Sequence, residues 1–344
     1  MNPHHERSSL VPTSTQIQLI ARPVGWPTHD DFRTVVVDLP DLAPNQVRVA
    51  NEFLSVDPYM RGRMNDVKSY IPAFRLGETM TGGAVGRIVE STSPTHPVGA
   101  VVVHDLGWRD VAQGDAGAFR VVDEIPGVPN SVFLGILGMT GLTAYVGLKY
   151  IAHLKPGDAV FVSGAAGAVG TAAGQIARLE GASRVVGSAG SPDKVALLTD
   201  RYGYDAAVDY KQAPIREQLA DIAGDGIDVY FDNVGGDHLE AAIDVMSQGG
   251  RAALCGAIAG YNSTETAPGP DNLVKIISRG LTLQGFTLGN YAHHFPEFAA
   301  KMGPWLASGE VVHAETVVDG IDNAVDAFFQ LMRGANVGKM LVRI

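Results

Sequence analysis

From Phe161 to Gly170 the chain reads FVSGAAGAVG. A short apolar run stops at a glycine-rich turn, and apolar residues with helical spacing follow, from Val169 through Ile176 to Leu179. A strand that enters a helix through such a turn leaves backbone N–H groups free at the positive end of the helix, where a phosphate binds. The pattern G-x-G-x-x-G calls for three glycines. Gly167 and Gly170 fill the second and third slots, and Ala165 stands in the first. The second glycine lets a pyrophosphate approach the backbone, and the third lets the helix pack on the strand. The first serves the tight turn, where alanine is tolerated if φ stays negative. Ala165, Gly167, Ala168, Val169 and Gly170 are therefore expected to cradle a dinucleotide.

The end of the next strand selects which one. Sites for NAD place Asp or Glu there, on the ribose 2′-hydroxyl. Here the strand ends in Ser188-Ala189-Gly190-Ser191, no carboxylate appears before Asp193, and Lys194 lies one turn into the following helix. Hydroxyls, open backbone and a cation suit a 2′-phosphate. The expected cofactor is NADPH, held on this side by Ser188, Gly190, Ser191 and Lys194.

The elements that must position these residues fall into two textures. Before about Gly138, alternating or β-branched runs such as RTVVVDL, QVRVANEFLSV, GAVGRIVES and GAVVVHDLGW are separated by Pro, Gly and Asn turns. They predict a barrel-like, mainly antiparallel domain. Beyond Gly138, strands such as DAVFVSG, SRVVGSAG, AAVDY, IDVYFDNVGG, GRAALCGAI and LTLQGF alternate with helical segments. That alternation predicts a parallel, doubly wound sheet. The last part, ending in the strand-like VGKMLVRI, is expected to return to the first domain.

At 344 residues the chain is long enough for two domains. Its 26 basic and 37 acidic residues leave a net charge of −11 without a basic block, which argues against nucleic acid or an anionic membrane as partner. The single cysteine, Cys255, excludes an internal disulfide and a multi-cysteine zinc site, and fits a reducing, cytoplasmic setting. Residues 1–14 read as a flexible tail. The stretch from Ile125 to Leu148 carries no charge, but its prolines and glycines mark it as a turn plus a buried small-residue helix, not a membrane span.

Several signatures occur in order: LSVDPYMRGRM (Leu54–Met64), GMTGLTAYVGL (Gly138–Leu148), GAAGAVG, GSAGSPDK, YFDNVGG (Tyr230–Gly236), CGAIAGYN (Cys255–Asn262) and the closing GANVGKMLVRI. Together they resemble the zinc-independent branch of the medium-chain dehydrogenase/reductases that holds prostaglandin/leukotriene reductases, plant alkenal double-bond reductases and bacterial curcumin-reductase-like enzymes. Alanine in the first glycine slot is usual in that branch. Zinc-dependent relatives carry Gly-His-Glu where this chain has LGETMTGG, with Glu78 and Thr79 in the ligand slots. No catalytic metal is expected.

The resemblance implies an α/β fold: a Rossmann coenzyme domain over 139–312 and a discontinuous, mainly β, GroES-like catalytic domain over 15–138 and 313–344. It implies a homodimer and NADPH-dependent reduction of the C=C bond of α,β-unsaturated ketones or aldehydes. A quinone reductase of the same superfamily and a non-catalytic NADPH-binding protein are the alternatives. A double-bond reductase needs donors aimed at an enolate oxygen and a proton for the α-carbon. Tyr261 is the expected proton donor or enolate partner, with Tyr59 and Tyr70 from the barrel domain. Met139, Thr140 and Tyr291 are expected to line the substrate pocket with these two tyrosines. By the same resemblance Tyr210, Asn233, Cys255, Gly256, Ile258, Phe286 and Asn336 contact the cofactor.

Overall fold

Residues 12–344 are described by the computed structural model. Of the tail expected over 1–14, residues 1–11 lie outside the described residues. Thr13 and Ser14 already belong to a strand, and the fully buried Ser14 hydroxyl donates to the Val111 carbonyl at 2.7 Å.

The first region contains β1 (Thr13–Leu19), β2 (Phe32–Asp38), β3 (Gln46–Ser55), the short helix α1 (Tyr59–Arg63), β4 (Ala84–Ser91), β5 (Val101–His104), β6 (Val111–Asp115) and β7 (Arg120–Val122). Helix α2 (Met139–Val146) then runs into a π turn (Gly147–Ile151). Next come β8 (Ala159–Val162), α3 (Ala168–Leu179), β9 (Arg184–Ala189), α4 (Pro192–Arg201), β10 (Ala206–Asp209) and α5 (Ile215–Ile222). β11 (Ile227–Asp232), α6 (Gly236–Val245), β12 (Met246–Leu254), α7 (Val274–Arg279) and β13 (Thr282–Gly285) complete this alternation. α8 (Phe295–Ser308), β14 (Glu315–Asp319), α9 (Ala324–Met332) and β15 (Lys339–Arg343) close the chain.

Six parallel strands lie in the order β10-β9-β8-β11-β12-β13. Numbered from β8, this is the 3-2-1-4-5-6 order of a doubly wound dinucleotide fold, with its switch point between β8 and β11. Val160, Phe161, Val162, Val229, Tyr230 and Phe231 are fully buried, as expected for central strands covered on both faces. Helix α3 packs close because its buried face is small. A Cβ on Gly174 would lie 2.2 Å from the Tyr204 ring, whose hydroxyl donates to the Gly170 carbonyl at 2.7 Å.

A second sheet runs β14-β15-β3-β4-β5-β7, with β6 also paired to β3, and β1 and β2 form a separate ribbon. β15 pairs antiparallel with β3, Val342 opposite Leu54, so the last strand sits in the sheet built by the first. Gly167 and Gly338 form an isolated bridge that ties the glycine turn to the segment just before β15. The uncharged stretch beginning at Ile125 forms a 3-10 turn (Asn130–Leu134) and α2. A Cβ on Gly141 would lie 2.0 Å from the Ile136 carbonyl, so glycine permits that crossing. Among the described residues no helix is long and apolar enough to cross a membrane. Helix α7 is not foreshadowed by the sequence, because Val274 and Ile277 face outward and leave no buried stripe to read.

Candidate active site

The glycine turn divides its labour differently from the motif. Gly164, at φ +59, makes the left-handed bend, so Ala165 needs no positive φ. The Ala165 N–H donates to the Ser188 carbonyl at 2.8 Å, and its methyl is fully buried against Gly187. Gly170 is held by packing: a Cβ there would lie 2.5 Å from the Gly164 carbonyl and 2.6 Å from Ala165. Gly167 precedes α3 in an extended conformation, and a Cβ on it would meet only the Gly164 carbonyl, at 3.3 Å. Its open face, with the unpaired N–H groups of Ala168, Val169 and Gly170 at the start of α3, makes an anion cradle.

Across the switch point, the buried Asp232 carboxylate shapes the loop after β11. It accepts from the Tyr230 hydroxyl (2.7 Å), the Ser163 hydroxyl (3.0 Å) and the backbone N–H groups of Val234 (2.9 Å) and Gly235 (2.8 Å). Asn233 is fastened to Ser163 twice, by its backbone N–H to the hydroxyl at 3.0 Å and by its side-chain amide to the carbonyl at 2.8 Å. The Asp232 carbonyl accepts from Cys255 (2.8 Å) and Gly256 (3.0 Å), which brings the end of β12 alongside. Burial pushes the Cys255 thiol up to about 12. Neither Ser163 nor Asp232 was singled out in the sequence, since their role rests on contacts across the sheet.

At the end of β9 the expected residues take distinct places. Ser188 is fully buried, and its hydroxyl accepts the Gly164 N–H at 3.4 Å, so it braces the turn from below. Ser191 caps α4, accepting the Lys194 N–H at 3.4 Å. The Lys194 ammonium donates to the carbonyls of Gly334 (2.6 Å) and Asn336 (2.7 Å). Burial and then the neighbouring Lys211 lower its pKa. A Cβ on Gly190 would lie 2.8 Å from the Tyr210 hydroxyl and 3.1 Å from Lys211 Cε, so both side chains lean over that glycine. Lys211, which the sequence reading omitted, is thus a second cation beside Lys194. Two cations close together favour an anion between them. The Asn336 amide is used internally, on the Gly338 carbonyl at 2.7 Å, so its link to this side is the carbonyl that holds Lys194.

The tyrosines come from both units. Tyr59 opens α1, and Tyr261 follows a 3-10 turn (Ile258–Gly260) beyond β12. Tyr59, Ile258 and Tyr261 pack on one apolar cluster that includes Leu54, Met60, Phe328 and Met340. Burial, then the neighbouring Asp57, raises the Tyr59 phenol, and burial raises Tyr261. The Tyr261 oxygen accepts only a long 3.4 Å bond from the Ala257 N–H, so its own proton remains available to donate. Tyr70 is 68% exposed on the loop after α1, and partial desolvation of its phenol, then the proximity of Tyr261 and Cys255, raises its pKa. Thr140 is buried at the start of α2, where Met139 is exposed. Phe286 meets Phe231 and Tyr291 edge-on at 6.5 and 6.3 Å.

Two family models match the chain: one described as the N-terminal domain of oxidoreductase over residues 15–122, and one described as zinc-binding dehydrogenase over residues 168–304. The NADPH-dependent curcumin reductase of Escherichia coli (strain K12) is 38% identical over 95% of this chain and 95% of its own length. Prostaglandin reductase 1 of Bos taurus is 40% identical over 93% of this chain and 96% of its own. The crystal structure of CurA from Vibrio vulnificus, also solved with NADPH, superposes with a TM-score of 0.90 at 40% identity, over 96% of this chain and 98% of CurA.

The chain belongs to the zinc-independent branch of the medium-chain dehydrogenase/reductases.

It is an oxidoreductase, and the two sheets above are the coenzyme and catalytic sheets of that family. The zinc in the description of one model has no counterpart in the ligand slots. Glu78 pairs with Arg75 on the surface at 3.5 Å, and the Thr79 hydroxyl is hydrogen-bonded to the Gln16 side chain. Among the described residues no three His, Cys, Asp or Glu side chains converge on a point that could hold a metal ion.

Proposed function

We propose that this medium-chain reductase uses NADPH to reduce the C=C bond of α,β-unsaturated ketones or aldehydes. The residues fit the cofactor. The open face of Gly167 and the start of α3 take the pyrophosphate, Lys194, Lys211 and Tyr210 take the 2′-phosphate side, and Asn233, Cys255, Gly256 and Phe286 border the nicotinamide end. When bound, NADPH supplies a hydride, which forms a C–H bond at the β-carbon as the C=C π electrons move toward the carbonyl oxygen.

The chain's own groups manage the charge and the proton. The Tyr261 phenol donates toward the enolate and gives its proton to the α-carbon, solvent water then reprotonates the phenolate, and one hydride and one proton have added across the double bond. A phenol raised by burial stays protonated at neutral pH, which is the state a donor needs. Tyr59 holds the opposite wall and Tyr70 the mouth, while Met139, Thr140 and Tyr291 line the pocket on the side of α2. The observation that carries this reading is that Tyr59, at the start of α1, and Tyr261, in the turn after β12, pack against one apolar cluster. The reductases of curcumin and prostaglandin named above lend it support.

The test follows NADPH oxidation with an aliphatic enone and, separately, with a para-quinone. Enone consumption is expected. Turnover of the quinone alone defeats the proposal, and cofactor binding without turnover of either makes the chain a binding protein.

The same reading divides the chain into a catalytic unit over 15–138 and 313–344 and a coenzyme unit over 139–312. It also makes the protein a cytoplasmic homodimer. The exposed Leu273, Val274 and Ile277 beside the edge strand β13 form the apolar surface that a second copy would cover. Light scattering of the purified protein checks the dimer.

A further inference from the structure

Arg61, on α1 two residues after Tyr59, is 3% exposed, yet every acceptor it meets is neutral. Its Nε donates to the Asn262 side-chain oxygen at 2.9 Å. One terminal nitrogen donates to the Asn65 side-chain oxygen at 2.8 Å, and the other to the Gly25 carbonyl at 2.7 Å and the Pro23 carbonyl at 3.4 Å. A guanidinium presents its donors in a rigid planar fork, so these acceptors are fixed in direction as well as distance. Asp31 is near enough to favour the charge without accepting a hydrogen bond from it, and burying a cation on neutral acceptors is unfavourable compared with an apolar side chain of the same volume. What the arrangement gives in return is geometry: it joins α1 and the loop at Pro23–Gly25 to a residue 201 positions away in the chain.

That distant residue directly follows Tyr261. The first half of the turn that carries the phenol is tied to the loop after β11, from the Ile258 N–H to the Asn233 carbonyl at 3.4 Å and from the Ala259 N–H to the Val234 carbonyl at 3.1 Å, and Arg61 holds its far end through Asn262. Ala259 and Gly260 are exposed, and a Cβ on Gly260 would meet nothing within 4 Å. The phenol makes only the long bond from Ala257. On the far side, a Cβ on Gly25 would lie 3.7 Å from the Asn262 carbonyl, so the loop that accepts from Arg61 also touches the Tyr261 turn.

Resting on the role given to Tyr261 above, we propose that Arg61 is a positioning residue. Through Asn262 it fixes the Tyr261 turn against the helix that carries Tyr59, and so sets the separation of the two phenols across the cleft. It touches neither substrate nor cofactor. Its effect on turnover passes through the backbone of Asn262.

The test uses the full-length protein with NADPH and an aliphatic enone. Asn262→Ala removes the anchor on the turn and leaves Arg61 in place. It is expected to speed amide exchange over residues 258–263, leave NADPH affinity unchanged, and lower kcat by about 10- to 100-fold, as ångström-scale misplacement of a reacting group does. Arg61→Met should behave alike, and adding it to Asn262→Ala should have little further effect. Asn262→Asp keeps an acceptor oxygen and should restore both exchange protection and kcat. Unchanged exchange in Asn262→Ala overturns the proposal, as does faster exchange with wild-type kcat. Tyr261→Phe, run alongside, separates the two readings. If that variant keeps wild-type turnover, the role of Tyr261 fails and the proposal falls with it. If it slows while Asn262→Ala does not, only Arg61 loses its role.

Discussion

The Lys194 ammonium, on the helix after β9, donates to the carbonyl of Asn336 at 2.7 Å, in the segment that leads into the last strand. One cation, proposed above for the 2′-phosphate, thus also latches the chain's return to the catalytic sheet. Lys211 stands beside it and lowers its pKa further after burial has done so.

Lys194→Ala should weaken NADPH binding far more than NADH binding. Loss of a charge-assisted contact to phosphate is worth about 10- to 100-fold in affinity, whereas NADH loses only the effect of a looser Asn336 segment. Fluorescence titration with both nucleotides checks this, and equal losses would remove the 2′-phosphate assignment. Because the ammonium is depressed, NADPH affinity should fall with rising pH before the ordinary lysine range is reached.

Gly170 and Gly167 should separate packing from binding. Gly170→Ala forces a methyl against the Gly164 carbonyl, for which overpacking costs roughly 1–3 kcal/mol, and should lower Tm. Gly167→Ala meets only the 3.3 Å contact, so the fold should hold while NADPH affinity drops. Paired melting curves and titrations decide it.

Tyr261→Phe should reduce kcat by about 100-fold or more, within the range of a lost general acid, with NADPH affinity nearly intact. Since the phenol must be protonated to donate and burial raises its pKa, wild-type kcat should stay flat through neutral pH. It should fall only at alkaline pH, above the ordinary tyrosine range. A steady-state pH profile of both proteins tests the assignment.

Asp57 and Lys339 form a buried ion pair at 3.0 Å that joins the start of α1 to β15. Asp57→Ala leaves the ammonium with only the Val56 and Met340 carbonyls, at 2.7 and 3.0 Å. Removing one partner of a buried pair destabilises by about 3–5 kcal/mol. Urea unfolding of the variant should show that loss.

Cys255 should resist alkylation in the folded protein, because a thiol near 12 is almost wholly protonated at neutral pH. Rapid labelling of this partly buried residue by iodoacetamide without denaturant would contradict the raised thiol.

The glycine turn, the alternation of strands and helices, and the missing acid after β9 were all legible in the chain, because each depends on neighbours a few residues apart. Backbone sterics, helix dipoles and burial periodicity act at that range. Even there the bend fell to Gly164, one residue before the motif's first slot, since only the packed turn shows which residue carries the positive φ. Packing alone put Ser188 under the turn, Lys211 beside Lys194, and Asp232 at the centre of a loop network. Arg61 reached Asn262 by packing as well. Those contacts join residues far apart in sequence. Their partners are chosen by strand order and by how the loops beyond the strands pack, and no local pattern of residue types encodes that.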